Sequence, residues 1–182
     1  VNTKQNTLIE TFNWAKTHQS RVSYKRKFKK YFVLYIRRQE HIYFQKQWIK
    51  EIIAKVLKNA PKNLNCLFAV NVLNTAILPQ EDDSLIMLPL LPYVDFMKLL
   101  SEAQFIATDG CTNQEEAYYM GLPLLALRNK TERIEGLREN VVIYKGSSKI
   151  LKDFLKNYRK YKRKPILLNQ RPSKIIVDYL MR

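Results

Sequence analysis

The chemistry in this sequence is concentrated in twelve residues, Phe105-Ile106-Ala107-Thr108-Asp109-Gly110-Cys111-Thr112-Asn113-Gln114-Glu115-Glu116. The apolar start reads as a strand over 104–108, Asp109 to Thr112 as a small-residue turn, and Asn113 to Met120 as a helix. Gly121 follows, a residue suited to a left-handed C-cap. A helix opening after a strand presents unpaired backbone N–H groups and the positive end of its dipole, both suited to phosphate. Gly110 permits close backbone approach and Thr112 offers a hydroxyl. Glu115 is explained by the preference of acids for a first helical turn. Glu116, if it projects over the strand ends, can accept from two vicinal ribose hydroxyls. Strand–glycine–helix turns are common in α/β proteins, so the pattern alone is a weak signal.

Other chemistries find little support. There is no Ser–His–acid arrangement, HExxH pair or P-loop lysine. Cys66 and Cys111 are far apart and form no CxxC pair, so neither a disulfide scaffold nor a zinc cluster is expected, and no metal or other cofactor. His18 in a polar helix end and His41 both read as surface residues rather than catalysts.

The elements around the turn alternate between two periods. Tyr31–Ile36, Cys66–Val70, Ser84–Leu88, Pro123–Leu127 and Val141–Tyr144 are short, continuously apolar runs, read as buried strands. Amphipathic helices are predicted for 8–15, 45–58 (Trp48, Ile49, Ile52, Ile53, Val56, Leu57), 93–102 and from Ser147 or Ser148 through Tyr158. A last helix, 173–181, is expected to bury Ile175, Ile176 and Leu180. Each strand followed by a helix implies a doubly wound, mostly parallel α/β sheet of about six strands, Rossmann-like. A length of 182 residues suits one such domain, taken as 31–182, preceded by a helix and basic linker over 1–30.

Charge is unevenly spread. The net of +16 divides into +12 over residues 1–64, −6 over 65–144 and +10 over 145–182. The densest runs, 25–30 and 158–164, interleave lysine and arginine with aromatic residues, as a nucleic-acid surface would. The favoured alternative is a solvated lysine-rich surface, and long-range steering of a diphosphate is a third use. No run reaches the ~20 apolar residues of a membrane span. The start at Val1 carries no signal-peptide core, so a cytoplasmic chain is expected, either a fragment or a processed one.

A denser pattern supplements these readings. Thr108 to Ala117, then Gly121-Leu122-Pro123, Leu127-Arg128 and Thr131-Glu132-Arg133-Ile134-Glu135-Gly136, resemble the signature of the UDP-N-acetylglucosamine 2-epimerase family. Tyr93-Val94-Asp95-Phe96-Met97 with Leu99, Leu100 and Ala103 matches in the same register, gap-free from about residue 90 to 140. The resemblance implies the C-terminal half of a GT-B fold, the half that grips UDP. It implies that Phe96 lies against the uracil, that Gly110, Cys111 and Thr112 hold the diphosphate, that Glu116 binds the ribose hydroxyls, and that Arg133 lies at the edge. Core packing within its own helix remains the alternative for Phe96.

The chain also departs from that family. Its phosphate loop usually carries Ser-Gly-Gly; here it is Gly110-Cys111-Thr112, with bulkier residues. Arg37 stands where the family has a functional histidine and Asn71 where it has a second. Arginine can hold a phosphate, and Arg37 is expected to do so, but it cannot shuttle protons near neutral pH. No catalytic residue is therefore assigned. The expectation is a UDP-sugar-binding domain, for UDP-N-acetylglucosamine, inactive alone in the ManNAc-type epimerase chemistry that feeds surface polysaccharide. An N-terminal domain in cis or in trans would complete it. The rivals are a catalytically dead nucleotide-sugar-binding relict and, less favoured, a basic nucleic-acid-associated protein.

Overall fold

Six runs of apolar residues, each only three to five residues long, build the sheet. In the computed structural model, which describes residues 1–18, 23–79 and 85–182, they are β1 (Tyr31–Tyr35), β2 (Asn65–Ala69), β3 (Leu85–Leu88), β4 (Ile106–Thr108), β5 (Leu124–Ala126) and β6 (Val141–Ile143). All neighbours pair in parallel, in the order β3-β2-β1-β4-β5-β6. This is the doubly wound arrangement expected, and the order reverses between β1 and β4. Ser84, the expected start of β3, lies outside the described residues.

Alternation along each strand feeds two cores. Phe32, Leu34 and Ile36 face one side, where α3 (Lys46–Asn59) packs Ile49, Ile52, Ile53 and Val56 and α6 (Ser148–Asn157) packs Leu151, Phe154 and Leu155. Tyr31, Val33 and Ile106 face the other. That side is covered by α1 (Leu8–Thr17), α2 (Tyr24–Phe28), α4 (Tyr93–Glu102) and α5 (Cys111–Met120). Ile9, Phe12 and Ala15 of α1 are buried there, so α1 is part of this layer. Ser147 caps α6 by accepting from the N–H of Ile150.

Two helices differ from expectation. α5 begins at Cys111, two residues early, because Gly110 is its extended N-cap. Glu115 and Glu116 therefore fall in the second turn, and the first-turn dipole argument for Glu115 does not hold. α7 (Pro172–Leu180) forms, but of its residues only Pro172 is buried; Ile175 and Ile176 are half-buried and Leu180 is 74% exposed. Helical spacing shows that a face could be covered, not that anything covers it. α7 is fastened at its start, where Ser173 donates through its N–H and hydroxyl to Glu10.

Gly121 ends α5 in the left-handed region, φ 62°. A Cβ there would also lie 2.2 Å from the carbonyl oxygen of Arg163, whose own N–H donates to the Gly121 carbonyl. Gly121→Ala combines a left-handed alanine, costing about 1–2 kcal/mol, with a backbone clash. We expect a loss of stability of at least about 2 kcal/mol in urea unfolding.

Candidate functional site

The reversal of strand order leaves a crevice beyond the carboxyl ends of the strands, where ligands of such sheets bind. A cleft of about 390 Å³ lies there. Its wall takes Tyr35 and Arg37 from the end of β1, Ala69 and Val70 from β2, and Pro89 to Leu91 after β3. Tyr93 and Phe96 of α4 and Thr112, Asn113 and Glu116 of α5 complete it. Four of the predicted residues, Arg37, Phe96, Thr112 and Glu116, thus meet around one space.

Phe96 is half-buried, with its ring 5.2 Å from that of Tyr35, so it packs and faces the cleft at once. Arg37 is exposed at the mouth, its guanidinium 6.0 Å from the Tyr35 ring centroid. The amides of Cys111, Thr112 and Asn113 open α5, where no residue precedes to accept from them within the helix, and Gly110 supplies no side-chain cap. Gly110 itself contributes room rather than a donor: its N–H is taken by the Thr108 hydroxyl at 3.0 Å. A Cβ at Gly110 would lie 2.3 Å from Asn113 Oδ1 and 3.1 Å from Arg37 Cδ.

Cys111 and Arg133 are not among the cleft-lining side chains. The Cys111 thiol accepts from Arg128 Nη1 at 3.1 Å and Arg38 Nη1 at 3.5 Å, and burial with the nearby Glu132 pushes its pKa up, keeping it a neutral thiol. Arg133 reaches Glu115 at 3.4 Å. Asn71 folds onto its own turn, donating to the Ile36 carbonyl and accepting from the N–H groups of Leu73 and Asn74.

His41 corrects an expectation. His18 is exposed, but His41 is buried, with Nδ1 2.9 Å from the fully buried carboxylate of Asp109. One-register displacement from a motif said nothing about what a buried acid just past a neighbouring strand would draw in. Tyr93 and Asn113 were also not picked out as site residues, because their spacing matches an ordinary helix opening.

The first two turns of α5 are unusual in being polar and buried. Asn113, Gln114, Glu115 and Glu116 are each at most 3% exposed. Gln114 donates to the carbonyls of Arg133 and Glu135 and accepts from Arg128 and Thr131. Glu115 accepts from Asn6. Glu116 accepts from Asn113 Nδ2 at 2.8 Å. The Tyr93 hydroxyl stands beside Glu116 and favours its anion, yet its geometry falls short of a hydrogen bond. It and Asn113 Oδ1 are left as enclosed, unpartnered polar atoms in the cleft wall. Burial pushes the Glu116 carboxyl up to about 7, against Asn113, Tyr93 and Arg37, which pull it down.

The rings of the basic runs pack inward. Tyr24, Phe28 and Tyr158 are buried and Tyr161 stacks on Phe154, so the interleaved rings belong to the core rather than to a stacking platform. Lys25, Arg159 and Lys162 line one groove away from the cleft. Among the described residues no cluster of three His, Cys, Asp or Glu is placed to hold a metal ion, and no helix is long and apolar enough to cross a membrane.

Fold and cleft together define a doubly wound α/β unit with an open helix terminus and a buried acid at its switch point. The profile of the family described as UDP-N-acetylglucosamine 2-epimerase matches residues 3–177, and the chain belongs to that family. The UDP-N-acetylglucosamine 2-epimerase of Campylobacter jejuni is 42% identical over 59 residues, 32% of this chain and 15% of that protein. The structure of the Methanocaldococcus jannaschii UDP-GlcNAc 2-epimerase in complex with UDP-GlcNAc and UDP superposes with a TM-score of 0.78 at 18% identity, covering 97% of this chain and 53% of that one. The Neisseria meningitidis enzyme bound to UDP-GlcNAc gives 0.68 at 21% identity, covering 98% and 50%. The chain thus spans about half the length of these structures, consistent with the C-terminal half of the GT-B fold.

A buried acid with a raised pKa makes the fold less stable as pH rises. The unfolded chain gives up this proton near the ordinary value of 4.5, the folded one near 7, so stability falls between those values and is level above. Glu116→Gln removes that fall. Urea unfolding is expected to show the variant gaining on the order of 2–3 kcal/mol over the native protein between pH 4.5 and pH 8.

Proposed function

We propose that the cleft binds the UDP part of a UDP-sugar, UDP-N-acetylglucosamine being the family's substrate. The observation that carries this reading is the convergence of Glu116, Phe96, Arg37 and the open amides of α5 on one space. In it the diphosphate takes the N–H groups of Cys111 and Thr112, the Thr112 hydroxyl and the Arg37 guanidinium. Gly110 keeps the approach open, as its tight spacing to Asn113 and Arg37 supports. Phe96 lies against the base and Glu116 accepts from the ribose diol. Arg133 acts one step back from the ligand, through Glu115. Cys111 contributes its backbone, since its side chain is engaged with Arg128 and Arg38.

Epimerisation at C2 requires proton abstraction, loss of UDP and re-addition, with acids and bases on both sides of the sugar. The ionisable groups lining this cleft are Tyr35, Arg37, Tyr93 and Glu116. Arg37 cannot exchange protons near neutral pH, and Glu116 is committed to the ribose. Turnover in this reading therefore belongs to a complete cleft, formed with an N-terminal domain in cis or in trans, in the cytoplasm. Exposed apolar residues on the segments that follow β1, β2, β3 and β5, namely Phe44, Val72, Leu90 and Ile134, support a second body closing over it. Supply of a precursor for surface polysaccharide follows from the same reading. The domain alone is a binding module, and the same geometry serves a relict that has kept only the grip.

Calorimetric titration with UDP tests the reading. Saturable binding is expected, weakened ~10- to 100-fold by Glu116→Gln through loss of a charged hydrogen bond. Because the diol needs the carboxylate, affinity rises from pH 6 to pH 8, and the variant loses that contribution. Unchanged affinity in the variant removes Glu116 from the site. Tighter binding to random duplex than to UDP, falling steeply with salt, favours the nucleic-acid rival.

A further inference from the structure

We propose that Asp109 is the positioning residue that aims Arg37 into the cleft, with His41 as its third ligand. The inference rests on the nucleotide reading above. Asp109 directly follows β4 and is completely buried. One carboxylate oxygen accepts from the backbone N–H of Arg37 at 2.8 Å, the other from that of Arg38 at 3.1 Å and from His41 Nδ1 at 2.9 Å.

A buried carboxylate without donors would be costly; with three it is satisfied, and each donor is fixed in turn. The donors all belong to the turn leaving β1. The neighbouring strand fixes that turn from the other side, because the Ile36 carbonyl accepts from the side-chain amides of Asn71 at 3.1 Å and Asn74 at 2.9 Å. Residue 36 is thus held by the loop after β2 and residues 37 and 38 by the end of β4. The His41 ring extends the clamp to α3, lying 5.0 Å from that of Trp48.

Arg37 is itself exposed, with five donors on a flexible stem. Its direction is set by its backbone, and its Cδ passes beside Gly110 at the opening of α5. Asp109 thus links the strand before the phosphate-binding helix to the cation that faces it across the cleft. Asparagine at 109 keeps the shape, but its amide nitrogen can only donate, so one end of the clamp opens.

The test compares UDP with uridine, which lacks the phosphates that Arg37 holds, and reads amide hydrogen exchange in the native protein. Asp109→Asn is expected to weaken UDP ~10- to 100-fold and uridine by no more than about 2-fold. In an Arg37→Ala background the same change should cost UDP no more than about 2-fold, since the group it positions is gone. Equal losses for the two ligands, or a full second loss on UDP in that background, overturn the proposal.

If Asp109→Asn does not fold, the exchange measurement decides. The Arg37 and Arg38 amides of the native protein should exchange as slowly as those of β1. Exchange at the rate of an open loop overturns the clamp whatever UDP does. Slow exchange in a native protein that binds no UDP overturns the nucleotide reading and with it the role of Arg37, leaving the clamp as structure only.

Discussion

Four consecutive polar side chains, Asn113 to Glu116, are carried almost out of contact with water at the point where the sheet reverses its strand order. Desolvation on this scale is tolerated only where partners replace water. Gln114 and Glu115 have theirs in Arg128, Thr131, Asn6 and the backbone after β5. Glu116 has one amide and an awkward hydroxyl, and its proton affinity rises accordingly. A fold gains nothing from such a carboxylate, which is why the cleft rather than the core accounts for it. The other features of the site follow from keeping this helix start open: an extended glycine as N-cap, a threonine after it, and an arginine across the gap.

Much of this architecture was legible because each strand is a short run buried on both faces, and such runs stand out from amphipathic helices by period alone. The left-handed cap at Gly121 and the Ser147 cap of α6 were readable from residue type. The start of α5 was not, because Cys111 and Thr112 have modest helix propensity and their backbone is set by the glycine before them. The exposure of α7 was hidden for a different reason: periodicity describes one helix and says nothing of its neighbours.

In the site, the residues that a ligand would touch were easier to find than those that hold them. Thr112 and Glu116 sit at positions that a phosphate-binding turn and a family signature both single out, and Phe96 at one that the signature alone singles out. Asp109 and His41 act through tertiary hydrogen bonds between segments 68 residues apart, and no local pattern carries such information. Asn113 and Tyr93 were passed over because helix openings commonly hold such residues. Arg133 shows the converse: it stands in the signature, and its side chain engages Glu115 rather than lining the cleft.

Around the opening of α5, Arg37 brings a permanent charge to the mouth of the cleft and the Cys111 side chain turns away to Arg38 and Arg128. The central claim is that anionic phosphate docks on the opening of α5. Amide NMR spectra recorded with and without UDP test it most directly. The account predicts the largest shifts at the N–H groups of Cys111, Thr112 and Asn113, with smaller ones at Phe96. Shifts centred on the basic groove of Lys25, Arg159 and Lys162, with those amides still, would contradict it.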